Sequence, residues 1–247
     1  MTKKGTHTMP SGTGRSAWAL AVAALAGIPA AAEAGDPTPS FDDLARSDFV
    51  AVVDNPYFPR IPGTRWVYEG MTEEGLSRTE SEVLSETVEI LDIRATVVTN
   101  RDYLDGELTE DNLDFFVQDK HGNVWYLGEN VDNYEDGVLH DHAGSWLAGD
   151  DGAIPGIVML ASPTAAVGRT YRQEHYVGCP RDEAEVVSVD RHASVPIGSF
   201  DNVVQTHDTS AVELDLNEHK FYAQGIGLIQ TIDLTAGDTF VLIEFSQ

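Results

Sequence analysis

Apolar and polar residues alternate along most of this chain beyond residue 60, and almost nowhere do they recur at the three-to-four-residue spacing of an amphipathic helix. Arg65-Trp-Val-Tyr-Glu69 alternates directly after a Pro62-Gly63 turn, and the β-branched runs 81–91 and 93–100 meet at Asp92 as the arms of a hairpin do. Asp105-Gly106 separates 100–104 from the residues after Leu108, Lys120-His-Gly-Asn123 separates 114–118 from 124–127, and Asp136-Gly137 follows 130–135. Such pairs tolerate the positive φ angles of tight hairpins, so successive turn signals at strand-length spacing predict a meander. Further strands are expected over 170–177, 184–193, 202–210, 218–223, 227–234 and 239–245. The predicted fold is all-β: an antiparallel barrel or strongly curved half-barrel of roughly ten or more strands.

Residues 144–168 break that rhythm. Glycines and prolines punctuate the stretch, yet Trp146, Ile154, Ile157, Val158, Met159 and Leu160 need burial. This Gly/Pro-rich segment is read either as a plug or lid over the barrel mouth or an open sheet face, or as a crossover that caps the core.

At the other end, Lys3, Lys4 and Arg15 precede an apolar run over 17–32 that closes in Ala32-Glu33-Ala34. A cationic start, a short apolar centre and a small-x-small exit predict a secretory signal peptide over 1–34, hence a periplasmic or secreted protein. The run falls short of the roughly 20 apolar residues of a membrane span, so no transmembrane anchoring is expected. Residues 35–54 read as a flexible leader or a short helix over 41–52, and 55–247 as a single β domain.

Fifteen Lys and Arg against 41 Asp and Glu give a formal charge of −26. That field argues against nucleic acid and anionic lipid as partners and favours cations, although a solvated acidic surface, as in proteins adapted to salt, explains it without a ligand. Cys179 is the single cysteine, so no intramolecular disulfide forms, and it lies too far from the predicted cleavage site to carry a lipid anchor. It reads as a buried thiol, a dimer crosslink or a soft metal ligand.

Several blocks bear a resemblance. Asn55-Pro-Tyr-Phe-Pro-Arg-Ile-Pro-Gly-Thr-Arg-Trp-Val-Tyr-Glu-Gly70, the segment from Phe116 to Glu129, Gly144-Ser-Trp146 and Tyr171-Arg-Gln-Glu-His-Tyr176 resemble an uncharacterised family of exported bacterial β proteins. Glu218-His-Lys-Phe-Tyr-Ala-Gln-Gly-Ile-Gly-Leu-Ile229 is similar to the final strands of a wider group of periplasmic barrel or half-barrel proteins. A likeness to lipoprotein-carrier half-barrels implies binding in a cavity.

No phosphate loop, dinucleotide turn, nucleophile elbow or His-Glu-x-x-His helix occurs. His140-Asp-His142 would set two imidazoles on one side of a strand, which suits a first-row metal. His175 and Cys179 would offer nitrogen and sulfur to copper or zinc. Asp132-Asn-Tyr-Glu-Asp-Gly137 is acidic enough for calcium but lacks the ligand spacing of an EF-hand. In 171–177, Tyr171, Gln173, His175 and Val177 share one strand face while Arg172, Glu174 and Tyr176 share the other. Polar residues on both faces suggest a polar interior, where Glu174 or His175, if inward-facing, would meet His207 or Glu218 as a carboxylate–imidazole site. Cross-strand ion pairing on a solvated face is the plainer reading.

Three functions remain open at this point. One is a small ligand or metal ion bound in a cavity lined by aromatics such as Trp66, Trp125, Tyr126, Trp146 and Tyr222. Another is a secreted lyase or hydrolase using Tyr171, Glu174, His175 and His207, with or without a metal. The third is a structural envelope protein without a small-molecule site.

Overall fold

The computed structural model describes residues 39–175, 182–210 and 216–247, so the expected signal peptide and Cys179 lie outside the described residues. Strands follow one another as the alternation requires. The first group is β1 (Phe49–Val50), β2 (Arg65–Met71), β3 (Leu76–Ile90), β4 (Ile93–Leu104), β5 (Glu107–Asp119) and β6 (Val124–Glu135). Then come β7 (Val138–Asp141), β8 (Trp146–Leu147), β9 (Ile154–Met159), β10 (Thr170–Arg172) and β11 (Glu174–His175). The last are β12 (Asp182–Val195), β13 (Gly198–Ser210), β14 (Asn217–Ala223), β15 (Gly227–Asp233) and β16 (Thr239–Ser246). The tight hairpins sit where the turn residues placed them: Leu91 and Asp92, Asp105 and Gly106, and Asp136 and Gly137 all have positive φ.

All strands belong to one antiparallel sheet, ordered β10-β12-β13-β14-β15-β16-β2-β3-β4-β5-β6-β9-β11, with β1, β7 and β8 attached to β5 and β6. The pairing of β16 with β2 carries the sheet from its last strand back to an early one, from Thr239 opposite Met71 to Ser246 opposite Arg65. Hydrogen bonding does not close the path. Its two ends, β10 and β11, are separated in the chain only by Gln173, so the twist curls the sheet until both edges reach one short segment.

The Gly/Pro-rich stretch is a crossover rather than a lid. It adds β8 and β9 to β6, then turns through a 3₁₀ segment, Pro163–Ala166, into β10. Gly128 permits this: at φ 131°, a Cβ there would stand 2.3 Å from the Trp146 carbonyl oxygen, so only glycine lets β8 lie against β6.

Antiparallel turns alternate between the two ends of a curved sheet. The turns after β2, β4, β6 and β15 gather at one end, and those after β3, β5, β12 and β14 at the other. Residues 53–64 close the second end. The Gly225 amide donates to the Pro56 carbonyl (2.7 Å), and Asn55 Nδ2 donates to the carbonyls of Gly122 (2.8 Å) and Leu160 (3.1 Å). Gln118 Oε1 accepts from the amides of Asp54 and Asn55, while its Nε2 donates to Asp54 Oδ1. Asn55 Oδ1 also accepts the Tyr57 amide, and the residue is only 2 % exposed. Asn55→Ala therefore strands several buried polar groups and is expected to cost about 3 kcal/mol in urea unfolding.

Upstream, the expected helix over 41–52 is replaced by two 3₁₀ turns, Phe41–Asp43 and Arg46–Asp48, followed by β1. This arm lies on the outer face of the sheet, where Phe41 packs edge-on against Trp125 at 5.4 Å. Phe41 and Val53 are both buried, so the packed fold begins ahead of Asn55. Among the described residues there is no α-helix, and none is long and apolar enough to cross a membrane.

Candidate functional site

Cross-strand register defines the inner face. Trp66 faces Ser81, which faces Asn100, which faces Asn112; Tyr68, Thr79, Asp102 and Glu110 form the next row outward. On the opposite wall Asp208 faces Glu218, Thr206 faces Lys220 and Val204 faces Tyr222. These rows enclose a cavity of about 580 Å³, within the range of small-molecule sites. Its lining is exposed at Glu73, Glu74, Thr235 and Ala236, in the hairpin turns, and buried at Phe58, Arg60, Trp66 and Phe116. The mouth therefore opens at the hairpin end, and the 53–64 segment forms the floor.

Arg60 is the dominant feature of that floor. Its guanidinium lies 3.6 Å from the Phe58 ring centroid, 4.9 Å from Trp66 and 5.7 Å from Phe116. Nη1 donates to the Pro59 carbonyl (2.9 Å), whereas the buried Nε has no hydrogen-bond partner, and among the described residues no carboxylate forms an ion pair with the group. Burial pulls its pKa down to about 10, so the side chain remains a cation at neutral pH. A desolvated charge is costly, and three aromatic faces offset that cost only in part.

A hydrogen-bonded ladder crosses the adjoining wall. Ser81 Oγ donates to Asn100 Oδ1, and Asn100 Nδ2 donates to Asn112 Oδ1 (2.9 Å) and Asp114 Oδ2 (2.8 Å). Tyr126 OH donates to Asp114 Oδ1 (2.9 Å), and Asn112 Nδ2 to Glu110 Oε1 (2.8 Å). Burial pushes the Asp114 carboxyl up to about 7, against the opposing pull of Tyr126, Asn100 and Arg60 and with a further rise from Glu110. Because the folded pKa lies above the unfolded value, the native state binds the extra proton between about pH 4 and pH 7 and loses stability as pH rises across that window. Asp114→Asn is expected to flatten this part of the stability–pH curve relative to the parent protein, measured by thermal melts.

The facing wall carries a cation with its partners in place. Lys220 Nζ lies 3.1 Å from Asp208 Oδ2 and 3.5 Å from Glu218 Oε2; Gln173 Nε2 donates to the same Asp208 Oδ2 (3.2 Å) and Thr206 Oγ1 to Asp208 Oδ1 (2.6 Å). Burial alone would lower the Lys220 pKa, but these carboxylates hold it above its usual value. Burial raises Glu218, and Asp208 beside it adds to the rise while Lys220 opposes it.

Only some of the residues expected from sequence meet here. Trp66, Tyr126 and Tyr222 line the cavity, but Trp125 lies on the outer face, its Nε1 donating to Asp119 (3.0 Å), and Trp146 packs behind Tyr126. Tyr171 is buried on the inner face opposite Ala184, and burial lifts its pKa, so it is held as a neutral phenol. His207 faces outward beside His219, with Nε2 on Asn217 Oδ1 (2.8 Å), so Tyr171 and His207, both members of the catalytic set expected from sequence, lie on opposite faces of the sheet. Arg172 also points outward, toward Glu183 (3.7 Å). Of Glu174 and His175 only the strand is described, not the side chains.

His140 and His142 are exposed and bind different carboxylates, Asp141 (2.9 Å) and Asp132 (2.7 Å). Among the described residues no group of three or more His, Cys, Asp or Glu side chains converges as a metal would require. Sequence analysis gave no role to Arg60 or Asp114. An arginine enclosed by prolines, with no carboxylate nearby in the chain, was the available signal for the first; Asp114, on a strand of mixed polarity, had none. Comparisons with protein-family models, with curated proteins and with solved structures return no match, so the reading of this site rests on its own geometry.

Proposed function

We propose that this chain is an exported binding protein that takes one small organic ligand through its hairpin end into the cavity of the curved sheet. The observation that carries this reading is the Arg60 guanidinium, buried at the floor of a polar and aromatic cavity and, among the described residues, in an ion pair with no carboxylate. An interior selected for stability alone would be filled with close-packed apolar side chains and would avoid such a charge. An organic molecule fits better than a bare metal ion, because the innermost group is itself a cation. The resemblance to exported bacterial β proteins and to lipoprotein-carrier half-barrels agrees with this.

The test is native mass spectrometry, with elemental analysis, of the protein purified without chelators from the cells that produce it. The expected result is a bound organic mass of a few hundred daltons, in keeping with the cavity volume. A bare polypeptide, or a stoichiometric metal without an organic mass, would overturn the reading. A secreted enzyme is the second reading, favoured by Asp114: a carboxyl poised near 7 is suited to proton transfer. Chemical turnover of the bound molecule, abolished in Asp114→Asn, would distinguish it from simple binding.

A further inference from the structure

Two cations are buried around this cavity, and they are treated differently. Lys220 has Asp208 and Glu218 within 3.5 Å. Among the described residues, Arg60 is in contact with ring faces and hydrogen-bonds one backbone carbonyl, with no ion-paired carboxylate. The nearest acid facing it, Asp114, spends both oxygens on Asn100 and Tyr126. From this contrast we infer that the ligand is a small organic acid with a single carboxylate, seated with that carboxylate on the Arg60 guanidinium and its body along the Tyr126–Asn100–Ser81 wall. The inference rests on the cavity reading above and adds the chemical class of the ligand.

Three further points support it. The planar fork of a guanidinium matches a carboxylate edge to edge, while its faces are already covered by Phe58, Trp66 and Phe116. A single negative charge neutralises the floor, whereas a dianion such as a phosphate ester would add uncompensated charge to a cavity that already holds Asp102, Asp114 and Glu218. The mouth carries Glu73, Glu74, Asp233 and Asp238, which repel a multiply charged anion more strongly than a monoanion.

The experiment is isothermal titration calorimetry of the protein with 4-hydroxyphenylacetate, 3-phenylpropanoate and hexanoate, each against its primary amide, with phenyl phosphate as the dianion. Trp66 fluorescence gives an independent signal from the floor. The expected result is that at least one acid binds about tenfold or more tightly than its amide, and that Arg60→Gln brings the pair within about twofold. Arg60→Lys keeps the charge but not the fork and should retain part of the preference; near-UV circular dichroism confirms that each variant is folded. Amides binding as tightly as acids, or phenyl phosphate binding tighter than both, would overturn the carboxylate inference and leave the cavity reading standing. No binding by any probe would overturn both.

Discussion

Lys220→Met is expected to destabilise the protein by about 3–5 kcal/mol in urea unfolding at pH 7, the largest single effect predicted for this molecule. The reason is Asp208, whose side chain is 0 % exposed and which would lose the ammonium 3.1 Å away. Thr206 and Gln173 would still donate to it, but two neutral donors do not replace a cation for a fully desolvated carboxylate. Glu218, already raised by burial, would lose the one partner that opposes the rise. Glu218 would then sit further above its unfolded value, so part of the deficit should shrink as pH falls toward 4 and this acid binds a proton. Lys220→Met combined with Asp208→Asn should recover most of the loss, because the double variant removes the stranded charge. A loss below about 1 kcal/mol in the single variant would show that water reaches Asp208 in the folded state and takes the place of the ammonium.

Arg60→Met should act in the opposite direction on stability. Lowering an arginine from 12.5 to about 10 corresponds to roughly 3 kcal/mol of preference against the charged form. The three ring contacts, taken at the low end of about 0.5 kcal/mol each, return about half of that. A methionine in the same box keeps the aromatic packing without the charge. The variant is therefore expected to gain about 1–2 kcal/mol, with a melting temperature raised by roughly 2–8 °C, while the preference for carboxylate ligands disappears. Stability gained with binding lost is the signature of a residue kept for function at the expense of the fold. A variant that is both less stable and unchanged in ligand preference would mean that Arg60 serves packing alone.

The strands were legible because their signals are local. Asp105-Gly106 and Asp136-Gly137 require positive φ, and β2 was marked by Arg65-Trp-Val-Tyr-Glu69 directly after the Pro62-Gly63 turn. The crossover was harder, since β8 and β9 take their pairing from β6 across Gly128, a close approach that depends on the whole sheet. Inward and outward faces were legible only where register could be guessed. Trp66 and Trp125 look alike in sequence, but one faces the cavity and the other lies under the Phe41 arm. Tyr171 and His207 looked compatible until the register set Ala184 opposite Asp208, which puts His207 on the other face. Lys220 and Glu218 share a face at i, i+2 and could be read as a pair. Arg60 has no comparable local mark, because being unpaired is a property of its surroundings in space.

The measurement that tests this account most directly is the ¹⁵N–¹H resonance of Arg60 Nε, assigned by its loss in Arg60→Gln and followed while 4-hydroxyphenylacetate, 3-phenylpropanoate and hexanoate are added in turn. The account predicts a saturable shift with at least one acid, absent with its amide, as the unpartnered Nε–H or its neighbouring Nη groups gain an anionic acceptor. A resonance that stays fixed while an acid demonstrably binds would place the ligand elsewhere on the protein and contradict the central claim.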